Sequence, residues 1–220
     1  MENTRVAIID NDMGNMFSVK NALEKVGLAV EITKDRGHIM KADALVLPGV
    51  GAFGSAMKHL NEHGLVETIK AFVETGKPFI GICLGLQLLF EESEEFGNSP
   101  GLALIKGRVV RFPQHVNQEE IKVPQIAWNK IMKGNMEWER TVLKNITAGE
   151  YMYFVHSYYV VPNDEKVILT KTSYEGIEYC SAIQQNNIVA FQFHPEKSGL
   201  KGLEIYENIK EWIIRSKEGK

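Results

Sequence analysis

The sequence predicts an α/β fold with a doubly wound, mostly parallel central sheet, flanking helices and extra antiparallel strands, organised as one domain over residues 1–220. Three observations carry this. As far as Glu95, short apolar runs alternate with segments of helical periodicity, the pattern of a parallel sheet with right-handed crossovers. Glycine-rich turns follow two of those runs, at the sheet edge where ligands of such folds bind. Beyond Glu95 the helical period stops and strand-like runs succeed one another, which suits hairpins and meanders.

Val6, Ala7, Ile8 and Ile9 make a first strand, and Asn11, Asp12, Met13, Gly14 and Asn15 a turn after it. Val19, Ala22, Leu23 and Val26 recur at helical spacing over 17–26, with Gly27 where a helix stops. Ala29–Thr33 reads as a second strand, and residues 44–47 as a third that runs into Pro48, Gly49, Val50, Gly51, Ala52, Phe53 and Gly54. Helices are expected over 54–62 and Leu65–Glu74, a buried strand over 78–82, and a helix over 84–92. Further strands are expected at 104–112, 126–132, 151–161, 167–171, 178–183 and 188–193, with a hairpin turn at 184–187 because asparagine tolerates positive φ. An amphipathic helix over 199–215 buries Leu203, Tyr206, Ile209, Trp212 and Ile213.

A net charge of −3 without a basic stripe argues against nucleic-acid and anionic-membrane partners. The longest apolar run, 78–90, is too short for a bilayer and contains Gln87. No signal-peptide pattern precedes the first strand, so a cytoplasmic protein is expected. The two cysteines are far apart in sequence, which gives no disulfide framework and no paired-cysteine metal site. Cys180 reads as a strand core residue.

Cys83 is different. It falls between the strand at 78–82 and the helical pattern after it, with Gly81 and Gly85 two residues to either side, the spacing of a nucleophile elbow. Side chains at the glycine positions would collide where strand, turn and helix meet. A thiol at the start of a helix is favoured as thiolate, and the amide donors there can hold an oxyanion. The plainer reading is a core cysteine, since free cysteine is among the most buried residue types. The Pro48–Gly54 turn lacks both the lysine-serine pair of a phosphate loop and the spacing of a dinucleotide site. Its freed backbone amides suit an oxyanion hole shared with the amide of Leu84, against the plainer reading of a tight turn.

A base is needed next. His194 follows an apolar strand, Pro195 stiffens the exit, and in an extended segment Glu196 faces the same way as His194, so it can hold one imidazole nitrogen while the other serves the thiol. His38, His59, His63 and His115 read as surface or core residues, and His156, in an aromatic strand leading to Ser157 and Tyr158, as a candidate pocket residue.

Gly81-x-Cys83-x-Gly85-x-Gln87 together with His194-Pro195-Glu196 resembles the class I (triad) glutamine amidotransferases. Asp10 with Met13-Gly14-Asn15, the Pro48–Gly54 turn, residues 88–95, residues 124–129 and residues 154–158 resemble, within that superfamily, the glutaminase subunits of imidazole glycerol phosphate synthase. The resemblance implies Cys83, His194 and Glu196 as catalytic triad, with no metal or redox cofactor. It also implies glutamine held by Gly49, Val50, Gly51, Leu84, Gln87, Ser157 and Tyr158. The implied partner is a (β/α)8 cyclase forming a heterodimer, which takes the ammonia to make imidazole glycerol phosphate and the purine precursor AICAR. Asn15, Trp128, Tyr153 and Lys197 match positions that face it. Asn11-Asp12 and Ala127 depart from the family pattern, which has Tyr-Gly and Gly there. Rotation of a peptide in the Pro48–Gly51 stretch would let the partner control turnover. The same chemistry could instead serve a surface-polysaccharide sugar amidotransferase. The remaining alternatives are a stand-alone cysteine hydrolase and a binding protein without catalysis.

Overall fold

The computed structural model describes residues 4–10 and 15–219. The expected turn at Asn11, Asp12, Met13 and Gly14 lies outside the described residues. Four parallel strands, β1 (Arg5–Ile9), β2 (Ala29–Thr33), β3 (Ala44–Gly49) and β4 (Phe79–Cys83), stand in the order β2-β1-β3-β4, and Ile188–Phe191 adds a fifth parallel strand beside β4. Ile177–Gln185, Tyr158–Pro162 and Gly107–Arg111 continue the sheet antiparallel to their neighbours. A hairpin of Gln125–Lys133 and Glu150–His156 is attached through Ile168–Tyr174.

Strand alternation sends Val6 and Ile8 to one face and Ala7 and Ile9 to the other, so both faces are apolar and both need cover. On the first face lie α1 (Met16–Lys25), through Val19 and Leu23, and α6 (Gly199–Lys217), through Ile205, Tyr206, Ile209 and Ile213. The second is covered by α2 (Arg36–Lys41), α3 (Phe53–Glu62), α4 (Leu65–Glu74) and α5 (Leu84–Leu88). Cys83 belongs to the first core and Cys180 to the second, with the sheet between them.

Several elements depart from the sequence reading, among them two-residue strands at Glu92–Ser93, Ser99–Pro100, His115–Val116 and Glu119–Glu120. α2 is not foreseen: six residues are too few to show a period, and its start is made by Asp35, whose side chain accepts from His38 N–H at 2.9 Å. The helix expected over 84–92 ends at Leu88, because the carbonyls of Leu88, Leu89 and Phe90 accept from the amides of Leu102, Leu104 and Ala103 instead of continuing the helix. The single strand expected over 151–161 breaks at Ser157, where the chain leaves Gln125–Lys133 for Gly107–Arg111. Asn186 takes φ 52° in the expected hairpin turn. Among the described residues no helix is long and apolar enough to cross a membrane.

Candidate active site

β4 ends on Cys83 with φ 55° and ψ −108°, a conformation that costs an L-residue energy and persists only where the surroundings impose it. The two glycines show how. A Cβ on Gly85 would sit 1.8 Å from the Leu47 carbonyl oxygen, and one on Gly81 would sit 2.9 Å from Ala190 Cβ. Their absence lets the first turn of α5 press onto β3, and the sharp reversal places the Cys83 side chain at the carboxyl end of the sheet.

Parallel pairing of Phe191 with Ile82 brings the exits of the two strands side by side, so His194 arrives at Cys83. His194 is fully buried, and its Nδ1 lies 2.7 Å from Glu196 Oε1. The sequence argument expects an extended segment here; the structure has a single 3-10 turn, Pro195–Lys197, which still delivers Glu196 to the ring. α6 holds that turn closely, since a Cβ on Gly202 would meet the Pro195 carbonyl oxygen at 1.8 Å. Burial pushes the His194 pKa down, but the charges and hydrogen bonds of Cys83 and Glu196 outweigh it and raise the value to about 10. Burial likewise opposes ionisation of Glu196, yet its bonds to His194 and Asn15 hold the carboxyl below its usual range. His194 Nε2 makes no conventional hydrogen bond, which leaves it free toward the Cys83 sulfur.

A cavity of about 250 Å³ opens on Cys83, below the roughly 300–1,000 Å³ of drug-sized sites and suited to an amino-acid-sized ligand. Of the residues expected to hold substrate, Val50, Gly51, Leu84, Gln87, Ser157 and Tyr158 line it. Gly49 does not, but it pairs with Cys83 across β3 and β4 and so positions its two successors. Gln87 gives Nε2 to the Tyr158 carbonyl at 2.9 Å and to Gln192 Oε1 at 3.0 Å, which leaves its own Oε1 for a ligand. His156 also lines the cavity. Burial lowers its pKa to about 3, and Nδ1 sits 2.8 Å from the Tyr158 carbonyl, so it is a neutral donor to that oxygen.

Sequence reasoning misses two side chains. Glu95 lines the cavity and accepts from Phe53 N–H at 2.5 Å; in the sequence it stands in an acidic run that looks like a solvated face. Gln192, fully buried, has Nε2 3.7 Å from Cys83 Sγ, and only its place two residues before His194 hints at this. Asn15, expected to face a partner, reaches the His194–Glu196 pair: its Nδ2 is 2.6 Å from Glu196 Oε1 and 3.2 Å from His194 Nδ1.

The other three partner-facing candidates cluster beside His194. Trp128 is half exposed and meets Tyr153 edge-on at 6.0 Å, Lys197 Nζ lies 5.9 Å from the centre of the Tyr153 ring, and the Tyr153 carbonyl accepts from His194 N–H at 3.0 Å. Ile126 and Tyr151 extend this exposed apolar hairpin face. Ala127, the departure from the family pattern, pairs with Phe154 without disturbing the register.

The family model described as "Glutamine amidotransferase class-I" matches residues 7–210. The imidazole glycerol phosphate synthase subunit HisH of Aquifex aeolicus is 51% identical over 207 residues, covering 94% of this chain and 96% of that protein. Its counterpart of the same name in Syntrophotalea carbinolica is 49% identical, covering 93% and 98%. Among solved structures, PurLQS of Thermotoga maritima superposes with a TM-score of 0.71 at 16% identity, covering 96% of this chain and 99% of that one. A glutamine amidotransferase of Thermotoga maritima gives a TM-score of 0.61 at 14% identity, covering 100% and 87%. These two likenesses bear on the fold alone.

Proposed function

Because the chain belongs to the class-I glutamine amidotransferase family, and within it to the glutaminase subunits of imidazole glycerol phosphate synthase, we propose that it cleaves glutamine through a Cys83 thioester. We further propose that it passes the ammonia to a HisF-like (β/α)8 cyclase with which it forms a heterodimer. The observation that carries the chemistry is the line from Cys83 to His194 to Glu196 at the mouth of an amino-acid-sized cavity.

The Cys83 sulfur adds to the carbon of the side-chain amide, and the carbonyl electron pair moves onto oxygen. The amides of Leu84 and the Gly49–Gly51 stretch supply the hole for that oxyanion. His194 Nε2 gives its proton to the departing nitrogen, the C–N bond breaks, and ammonia leaves with a γ-glutamyl thioester behind. His194 then takes a proton from water as its oxygen adds to the thioester, and collapse expels the thiolate and frees glutamate. Glu196 keeps Nδ1 protonated and stabilises the imidazolium throughout, while Asn15 fixes the carboxylate. Glutamine is oriented by Gln87 Oε1 and, through its α-amino group, by the Glu95 carboxylate.

The exposed apolar face around Trp128 and Tyr153, against the triad, suits the barrel partner. Intact-mass spectrometry of the protein quenched during turnover tests the proposal. A glutamyl adduct mapped to Cys83 is expected, and undiminished glutaminase activity in Cys83→Ala would overturn it.

A further inference from the structure

We infer that Gln192 is the hydrogen-bond donor that holds the Cys83 sulfur as a thiolate, and that Gln87, besides meeting substrate, positions the Gln192 amide for this. The inference rests on the reading of Cys83 as nucleophile.

The need for a donor comes from what surrounds the sulfur. α5 is five residues long, too short for its aligned peptides to supply much field. Apart from His194 and Gln192, the hydrogen-bonding neighbour of Sγ is the Val155 carbonyl oxygen at 3.9 Å, which welcomes an S–H and repels a thiolate. The charged and titratable groups facing the site are His194, with Glu196 behind it, and Glu95, neutral His156 and the Tyr158 phenol, kept neutral by burial, on the cavity wall. Of these only His194 favours a negative sulfur.

The direction of the Gln192 amide follows from a chain anchored on the backbone. The Tyr158 carbonyl oxygen can only accept, so the Gln87 atom 2.9 Å away must be its NH2 nitrogen. That nitrogen has a second hydrogen, aimed at Gln192 3.0 Å away, so the Gln192 atom there must be the oxygen. The Gln192 nitrogen is therefore the end turned to Sγ, 3.7 Å away. Since Gln192 is wholly excluded from water, its N–H has no solvent to fall back on, and a charged sulfur is the acceptor that best repays its burial.

The test is the pH dependence of iodoacetamide alkylation of Cys83 in the full chain, carrying Cys180→Ser so that one thiol is read. Gln192→Leu removes the donor, and Gln192→Glu keeps the acceptor for Gln87 while setting a negative charge beside the sulfur. Both are expected to move the alkylation midpoint upward and to slow labelling near neutral pH about tenfold, the scale of one charge-assisted hydrogen bond. The Glu variant should shift further, and rates should converge at high pH. Glutaminase kcat should fall with them while KM changes less than about threefold, since Gln192 does not line the cavity. An unchanged midpoint in Gln192→Glu of native melting temperature overturns the inference. If neither variant folds, Gln87→Met, which frees the Gln192 amide to turn, must show the upward shift or the inference fails. Failure of the nucleophile reading is separate: it would show as glutaminase activity retained in Cys83→Ala.

Discussion

Replacing Cys83 by Ala or Ser, or His194 by Ala, is expected to lower glutaminase turnover by on the order of 10⁶, and Glu196→Gln by about 3 × 10⁴, the pattern of a triad acting as a unit. A coupled glutamate assay reads this, and a larger loss for the Glu variant than for His194→Ala would contradict the assigned roles. Cys180→Ser should leave turnover unchanged, since burial drives that thiol up to about 12 in the far core. Two histidines contribute to the pH dependence of stability in opposite senses, beside the buried Glu196 carboxylate, whose contribution is lost toward acid. His156 has its pKa lowered from 6.5 to about 3, so its contribution is complete above pH 6.5 and is lost as the pH falls. That of His194, raised from 6.5 to about 10, is complete below pH 6.5 and is lost as the pH rises toward 10. Urea unfolding midpoints should therefore peak near pH 6.5, with His156→Gln flattening the acid limb and His194→Ala the alkaline one. At this scale the clustering of Cys83, His194 and Glu196 was legible because all three sit at strand exits marked by glycine or proline. Gln192, Glu95 and the inward side of Asn15 were not, since each acts through contacts with residues far away in sequence.

Among elements, the parallel half was readable because its inner strands β1, β3 and β4 are buried on both faces and every long helix carries one apolar stripe. What failed were the lengths of α5 and of the strand through Ser157, both decided by which distant segment takes the backbone groups. The contact of α5 with β3 gives a direct test of the elbow. Gly85→Ala forces a methyl into the Leu47 carbonyl, and overpacking of this kind typically costs about 1–3 kcal/mol. Urea denaturation should show a loss at or above the upper end of that range, with turnover lost as the elbow opens. A stable, active Gly85→Ala protein would mean the glycine is not what permits the reversal.

For the whole molecule, the exposed hairpin face and the glycines of Pro48–Gly51 predict that the isolated chain turns glutamine over slowly and that a histidine-pathway cyclase barrel with its nucleotide ligand accelerates it. One missing oxyanion donor would set the gap at on the order of 10²–10³. Turnover already maximal in the isolated chain would refute this control, and Trp128→Ala should weaken assembly, read by titration calorimetry, without altering basal hydrolysis. The sheet that separates Cys83 from Cys180 has a further effect, on ageing in air. A sulfenic acid formed on Cys83 finds no second thiol of its own chain to condense with, so peroxide drives it onward to the sulfinic acid and the loss becomes permanent. Whatever spares the enzyme from oxidants must come from outside the chain, by a small thiol reaching the cavity or by a bound partner closing it.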